Sequence, residues 1–192
     1  MMELAGGSVV LSFTGDIAEY EADYMYTILK RNFKVKLEQT SELSVGEDSD
    51  NIITHIGFSF DSPFRLEFFR ELGGRHWMLL KESIKEIKKR RGNFGISFTF
   101  DFEGDGTQTT FDCQSCDNDT ISGAIEKLEY MAELVEARVA LDGLPYDISS
   151  LKYMYNQELD RWRPSQAKMG DQLYVFSEET RKWSTFRRDI EV

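Results

Sequence analysis

Cys113-Gln-Ser-Cys116 has the spacing of a redox dithiol or of half a zinc site, and it stands between a predicted strand and a predicted helix start. A helix N-terminus in that place would stabilise a thiolate. Asp112, Asp117 and Asp119 surround the pair, and like charge disfavours ionisation of a thiol. With only 2 cysteines, the chain holds no second Cys-x-x-Cys to complete a zinc site, which leaves metal binding between subunits as an alternative, and a disulfide framework is not its organising principle. The expectation is two inert, reduced thiols; a dithiol oxidoreductase is the enzymatic alternative.

Asp101-Phe-Glu103-Gly-Asp105-Gly106, followed by Asp112, puts acids and a glycine at places one, three, five, six and twelve of a calcium loop. Glutamate at the third place, aspartate at the twelfth and Gln108 at an apolar place depart from that pattern. The flanks also read as strands rather than helices. A hairpin turn accounts for Gly104-Asp105-Gly106 more simply, because glycine supplies positive φ. Phosphate-cradling loops, Rossmann glycines and zinc-protease helices are absent. No cofactor and no metal site is expected.

The elements that would position these groups follow from periodicity. In residues 94–102 every even position is large and apolar (Phe94, Ile96, Phe98, Phe100, Phe102), whereas odd positions are small or polar. A period of two means a half-buried strand. Ile52, Ile56, Phe58 and Phe60 repeat the pattern, broken at Thr54; Val9, Leu11 and Phe13 repeat it more briefly, as do Phe33, Val35 and Leu37. Gln108 to Cys113 reads as the returning strand of a hairpin.

Helices are predicted between these strands. The first has Asp16 as N-cap with Glu19 in capping-box spacing, and the next is a short one opened by Ser62-Pro63 and ended by Gly73-Gly74. Another covers about His76 to Arg91, and its basic run Lys85, Lys88, Lys89, Arg90 and Arg91 complements the carbonyl end of the helix. A long helix after Asp117 or Asn118 carries Ile121, Ile125, Leu128, Ala132, Val135 and Val139 on one stripe.

The expected fold is α+β: an antiparallel sheet in ferredoxin-like, split β-α-β order, helices on one face, then an appended long helix and a C-terminal β-hairpin. Residues 1–141 are expected to form the core domain. Residues 142–192 would be a C-terminal segment whose hairpin, Leu173 to Phe176 with Lys182 to Phe186, packs on the core or on a partner. Residues 39–51 read as an exposed loop.

Alternation then defines the sheet's second face, which carries Ser12, His55, Ser59, Ser97, Thr99 and Asp101, with little Lys or Glu on the central strands. Together with Trp183 of the hairpin these are the candidate binding residues. A hydrolase built from the serine, histidine and aspartate of that face would need mutual hydrogen-bond reach and an oxyanion hole, and no G-x-S-x-G elbow occurs. No catalytic residue is assigned.

Composition narrows the partners. A formal net charge of −11 repels phosphate backbones and anionic membranes, so neither nucleic acid nor membrane is an expected partner. No stretch reaches the about 20 apolar residues of a membrane span, and the start lacks a signal-peptide pattern, which leads to a cytoplasmic expectation. Apolar residues make up 41% of the chain, enough for a core without staples. The expected function is non-catalytic interaction or ligand binding through the polar sheet face and the aromatic hairpin, with a protein partner or a second copy in a homodimer.

Overall fold

The computed structural model of the chain describes residues 7–41 and 51–186. Among them, nine strands form one sheet: β1 (Ser8–Gly15), β2 (Lys34–Thr40), β3 (Ile52–Phe60), β4 (Gly95–Gly104), β5 (Thr107–Ser115), β6 (Ser150–Asn156), β7 (Arg161–Met169), β8 (Gln172–Ser177) and β9 (Lys182–Thr185). The five helices are α1 (Glu19–Leu29), α2 (Leu66–Leu72), α3 (Gly74–Arg90), α4 (Asn118–Glu126) and α5 (Met131–Glu136). Of the loop expected at residues 39–51, residues 42–50 lie outside the described residues, and Gln39 and Thr40 close β2.

The spatial order is β2-β1-β3-β4-β5-β6-β7-β8-β9. β1 with β2, β3 with β4 and β5 with β6 pair in parallel, and the other five pairings are antiparallel. The sheet is therefore mixed, not purely antiparallel as expected. Each helical connection returns the chain to the strand position beside the one it left, and a crossover makes such neighbours parallel. A ferredoxin-like order would put β1 between the third and fourth strands; here β1 lies between β2 and β3.

All five helices share one face and one apolar core. β1, β2, β5 and β6 point one way, β3 and β4 the other. The first crossover steps toward the β2 edge, the second and third toward the β9 edge. With the helices on a common face, the first two crossovers share a hand and the third has the opposite one. Helical crossovers are right-handed in about 98% of cases, so this mixture is unusual.

The core is a phenylalanine seam. Phe58, Phe98, Phe100, Phe102 and Phe111 are fully buried, and Phe58 stacks on Phe100 with ring centroids 4.4 Å apart. Phe64, Phe68 and Phe69 cover the seam from the α2 side. Phe94 falls outside β4 and is half exposed, because the turn after α3 occupies that position. On the turn side of the β4–β5 hairpin, Asp105 (φ 53°) and Gly106 (φ 77°) form the two-residue loop, and two successive positive φ values are the signature of a type I′ turn.

The capping of α1 differs from the expected one. Its N-cap is Ala18, whose N–H donates to Glu21 at 3.0 Å, so the acid at the third helical position is Glu21 and not Glu19. Glu21 does more than cap. Arg91, just past α3, donates to it at 2.7 Å and also reaches Thr54 at 2.9 Å and the Asp16 carbonyl at 2.7 Å. Both ionic side chains are buried, 2% and 7% exposed. Thr54, which interrupts the apolar pattern of β3, is the buried partner this arginine requires.

The long helix expected after Asp117 is broken into α4 and α5. Asp117 caps α4 as expected, accepting from the Thr120 N–H at 2.7 Å. The break has an identifiable cause: the Trp162 indole N–H donates at 2.9 Å to the Ala124 carbonyl, which an unbroken helix would use for residue 128. Leu128 turns to Ile125 instead.

Replacing Phe98 with Ala is expected to cost about 3–5 kcal/mol, the range for a fully buried phenylalanine. Replacing Thr99, its neighbour on the opposite face, should cost under about 1 kcal/mol. Chemical denaturation of the two variants checks the assignment of faces.

Candidate binding face

The strand register builds the face opposite the helices residue by residue. One row crosses all nine strands: Lys36, Val10, Ser59, Asp101 and Thr110, then Lys152, Gln166, Val175 and Ser184. The next row holds Ser12, Gly57, Thr99, Asp112, Met154 and Arg163, and beyond it stand Thr14, His55, Ser97 and Gln114. No described element of the chain lies over these rows. Six of the seven candidate residues, Ser12, His55, Ser59, Ser97, Thr99 and Asp101, are brought together here.

Trp183 is not among them. It pairs with Phe176 across β8 and β9, stacks edge-on against that ring at 5.2 Å, and donates its indole N–H to Ala140 at 3.0 Å. That places it on the helix face. β8 continues the sheet beside β7 and does not fold over the second face.

Cross-strand hydrogen bonds tie the polar side chains to one another. His55 Nδ1 and Ser97 Oγ are 2.8 Å apart, Thr110 donates to Asp101 at 2.5 Å, and Lys152 pairs with Asp112 at 3.0 Å. Gly57 leaves room for Ser12: a Cβ there would fall 2.3 Å from Ser12 Oγ and 3.6 Å from His55 Nε2. Burial holds the His55 pKa below its ordinary value, although Asp112 and Asp101 pull the other way.

The Ser97–His55 contact has the geometry of a nucleophile and its base, but among the described residues no carboxylate is hydrogen-bonded to the imidazole. Ser97 is only 8% exposed. Asp101 and Asp112 are engaged by Thr110 and Lys152 and do not orient the imidazole. The backbone N–H groups of the central strands are committed to ladders on both sides, which removes the usual oxyanion donors.

The other chemical candidates separate in space. Cys113 faces the helices and is buried, and desolvation, aided by Asp112, pushes its thiol up to about 12; Cys116 is exposed in the turn before α4. The acids of the calcium-loop pattern spread along the hairpin: Asp101 is held by Thr110 and Asp105 by Arg65, at the far end of the strand. Among the described residues, no group of three His, Cys, Asp or Glu side chains is placed to share a metal ion.

Asp112, Lys152 and Arg163 belong to this face and were not anticipated. Parity along β5 could have found Asp112, since Phe111 and Cys113 point inward. Compared with protein families, curated proteins and solved structures, the chain matches none.

Two outcomes are expected of this geometry. In the native protein an aromatic disulfide reagent should modify Cys116 fast and Cys113 only on unfolding; equal rates would refute the burial of Cys113. For His55 the folded pKa lies below the unfolded value near 6.5, so its neutral form contributes stability above that pH, and the contribution is lost as pH falls through the window beneath it. Acidification from about pH 7.5 to about pH 5.5 should therefore lower the melting temperature more in the parent than in His55→Asn.

Proposed function

We propose that the chain is a non-catalytic interaction protein whose working surface is the bare face of the sheet, and that the face joins two copies into a homodimer. The observation that carries this reading is the continuous row from Lys36 to Ser184, over which no described element lies, with small, mutually hydrogen-bonded side chains near its centre. A face evolved only to meet water usually carries long Lys and Glu side chains on its central strands. Here Ser12, Ser59, Ser97 and Thr99 stand in those places, and they lose little conformational entropy when covered.

The charge pattern favours a second copy as the cover. Asp101, Glu103 and Asp112 form an acidic strip on β4 and β5; Lys152, Arg161, Arg163 and Lys168 form a basic strip on β6 and β7. A two-fold axis parallel to the strands, over the seam between β5 and β6, lays each strip on its opposite. Two-fold pairing is the commonest oligomeric arrangement, and complementary strips set its register.

The hydrolase alternative rests on the Ser97–His55 contact, and burial of Ser97 weighs against it. Sedimentation equilibrium of the full chain should give a dimer that weakens with salt, as charge pairing at a surface must. Asp101→Lys and Lys152→Glu should each dissociate it, and the two together should restore it. A monomer at every concentration sinks the dimer, and a dimer indifferent to these changes moves the interface elsewhere. A fluorophosphonate should leave Ser97 unlabelled; labelling there would establish the hydrolase instead.

A further inference from the structure

The helix layer carries a groove of its own, on the other side of the molecule from the bare sheet face. β1 is antiparallel to β3, and β3 is parallel to β4. α1 and α3, which return the chain from β1 and β3 to parallel neighbours, therefore run antiparallel to each other. The groove between them measures about 570 Å³ and is lined by these two helices alone. Leu79 and Ile87 of α3 form its apolar floor, and Tyr20 and Tyr24, one turn apart on α1, form a wall. Those tyrosines are 59% and 50% exposed, and aromatic rings left open beside an apolar concavity are characteristic of interfaces.

One end of the groove already seats a cation. The Arg90 guanidinium lies over the Tyr20 ring at 5.0 Å, donates to its hydroxyl at 2.7 Å and pairs with Glu86 at 3.4 Å. One turn further along α1 is one turn back along α3, and there the pattern returns with its sign changed. Tyr24 takes the place of Tyr20, Glu82 the place of Glu86, and the residue one turn from Arg90 is the acid Glu86. Among the described residues no Lys or Arg is placed over the Tyr24 ring. Glu82 is engaged by Lys85 of its own helix at 2.8 Å, an exposed pair of the kind that is weak and exchanges readily. Glu19 and Asp23, exposed on α1, make no ion pair among the described residues. The rims are thus acidic around an apolar floor, in a chain whose net charge is −11.

We infer that the α1–α3 groove receives a basic amphipathic helix of a partner protein, its apolar stripe on Leu79, Ile87 and the tyrosines and one of its arginines over Tyr24 between Glu82 and Glu86. A third helix laid along two antiparallel ones follows ordinary helix packing. Apolar anchors in the groove supply the affinity, and the acidic rims select cationic flanks and speed the encounter. The 11 residues of α1 give a wall about 16 Å long, enough for about three turns of the partner. The groove and the sheet face proposed to join two copies lie on opposite sides of the sheet, so both can be occupied at once.

The test is calorimetric titration of the full chain with a synthetic leucine–arginine peptide of about 15 residues, its leucines spaced to form one helical stripe. A peptide of the same composition with the leucines scattered around the helix controls for charge alone. The striped peptide should bind saturably, one per chain, about tenfold or more tighter than the scattered one. Tyr24→Ala and Glu82→Lys, both at exposed positions, should each weaken it about tenfold with the melting temperature nearly unchanged. Asp101→Lys, on the opposite face, should leave peptide binding as it is. Absence of saturable binding, equal binding of the two peptides, binding indifferent to either groove variant, or loss of binding in Asp101→Lys would each overturn the assignment.

Discussion

The stack of Phe58 on Phe100 is the contact from which the rest of the architecture is organised. It joins β3 to β4, the parallel pair in third and fourth place across the sheet, and parallel neighbours require a connection that leaves the sheet and returns. Both rings are wholly buried, so that connection must pass over them. α2 and α3 do so, and α1 and α4 then pack against α3 from either side. A one-sided apolar sheet thus commits every described helix to the same layer and leaves the other layer without a described element.

Buried polar contacts decide how that layer is seated. Arg91 could not be hidden without Glu21, Thr54 and the Asp16 carbonyl around it, and these come from α1, β3 and the loop between β1 and α1. Removing one partner of a buried ion pair costs about 3–5 kcal/mol, so the pair fixes the angle of α1 against α3 more firmly than apolar contact alone. The C-terminal strands use the same device with neutral groups: the indole of Trp162 donates to the Ala124 carbonyl in α4, and that of Trp183 to the Ala140 carbonyl beyond α5.

Which side of each strand faces inward was legible in the sequence, because alternation is a local property. Phe98, Phe100 and Phe102 are buried, and Ser97, Thr99 and Asp101 share the other face. Which strand neighbours which was not legible, since it depends on where each helix lets the chain re-enter the sheet. Hence Ser12 stands against Gly57 and not against Ser97. The break between α4 and α5 was hidden for a related reason: the apolar stripe continues through it, and the indole that interrupts it comes from 38 residues away. Arg91 read as one more cation at a helix end, because nothing local marks an arginine for burial. Trp183 could be placed on a strand but not on a face until its pairing with Phe176 was known.

The uncovered face has a further geometric property. Neighbouring strands in a sheet are rotated by about 20–25° with respect to one another, and the rotations add in one sense. At that average rate the rotations across nine strands sum to about half a revolution, so the end of the face near Lys36 is expected to turn away from the end near Ser184. A rigid body resting on Thr99 and Asp112 can follow the surface for only three or four strands before it lifts away. The single sheet therefore offers several separately addressable platforms, and occupation of the middle one leaves both ends open.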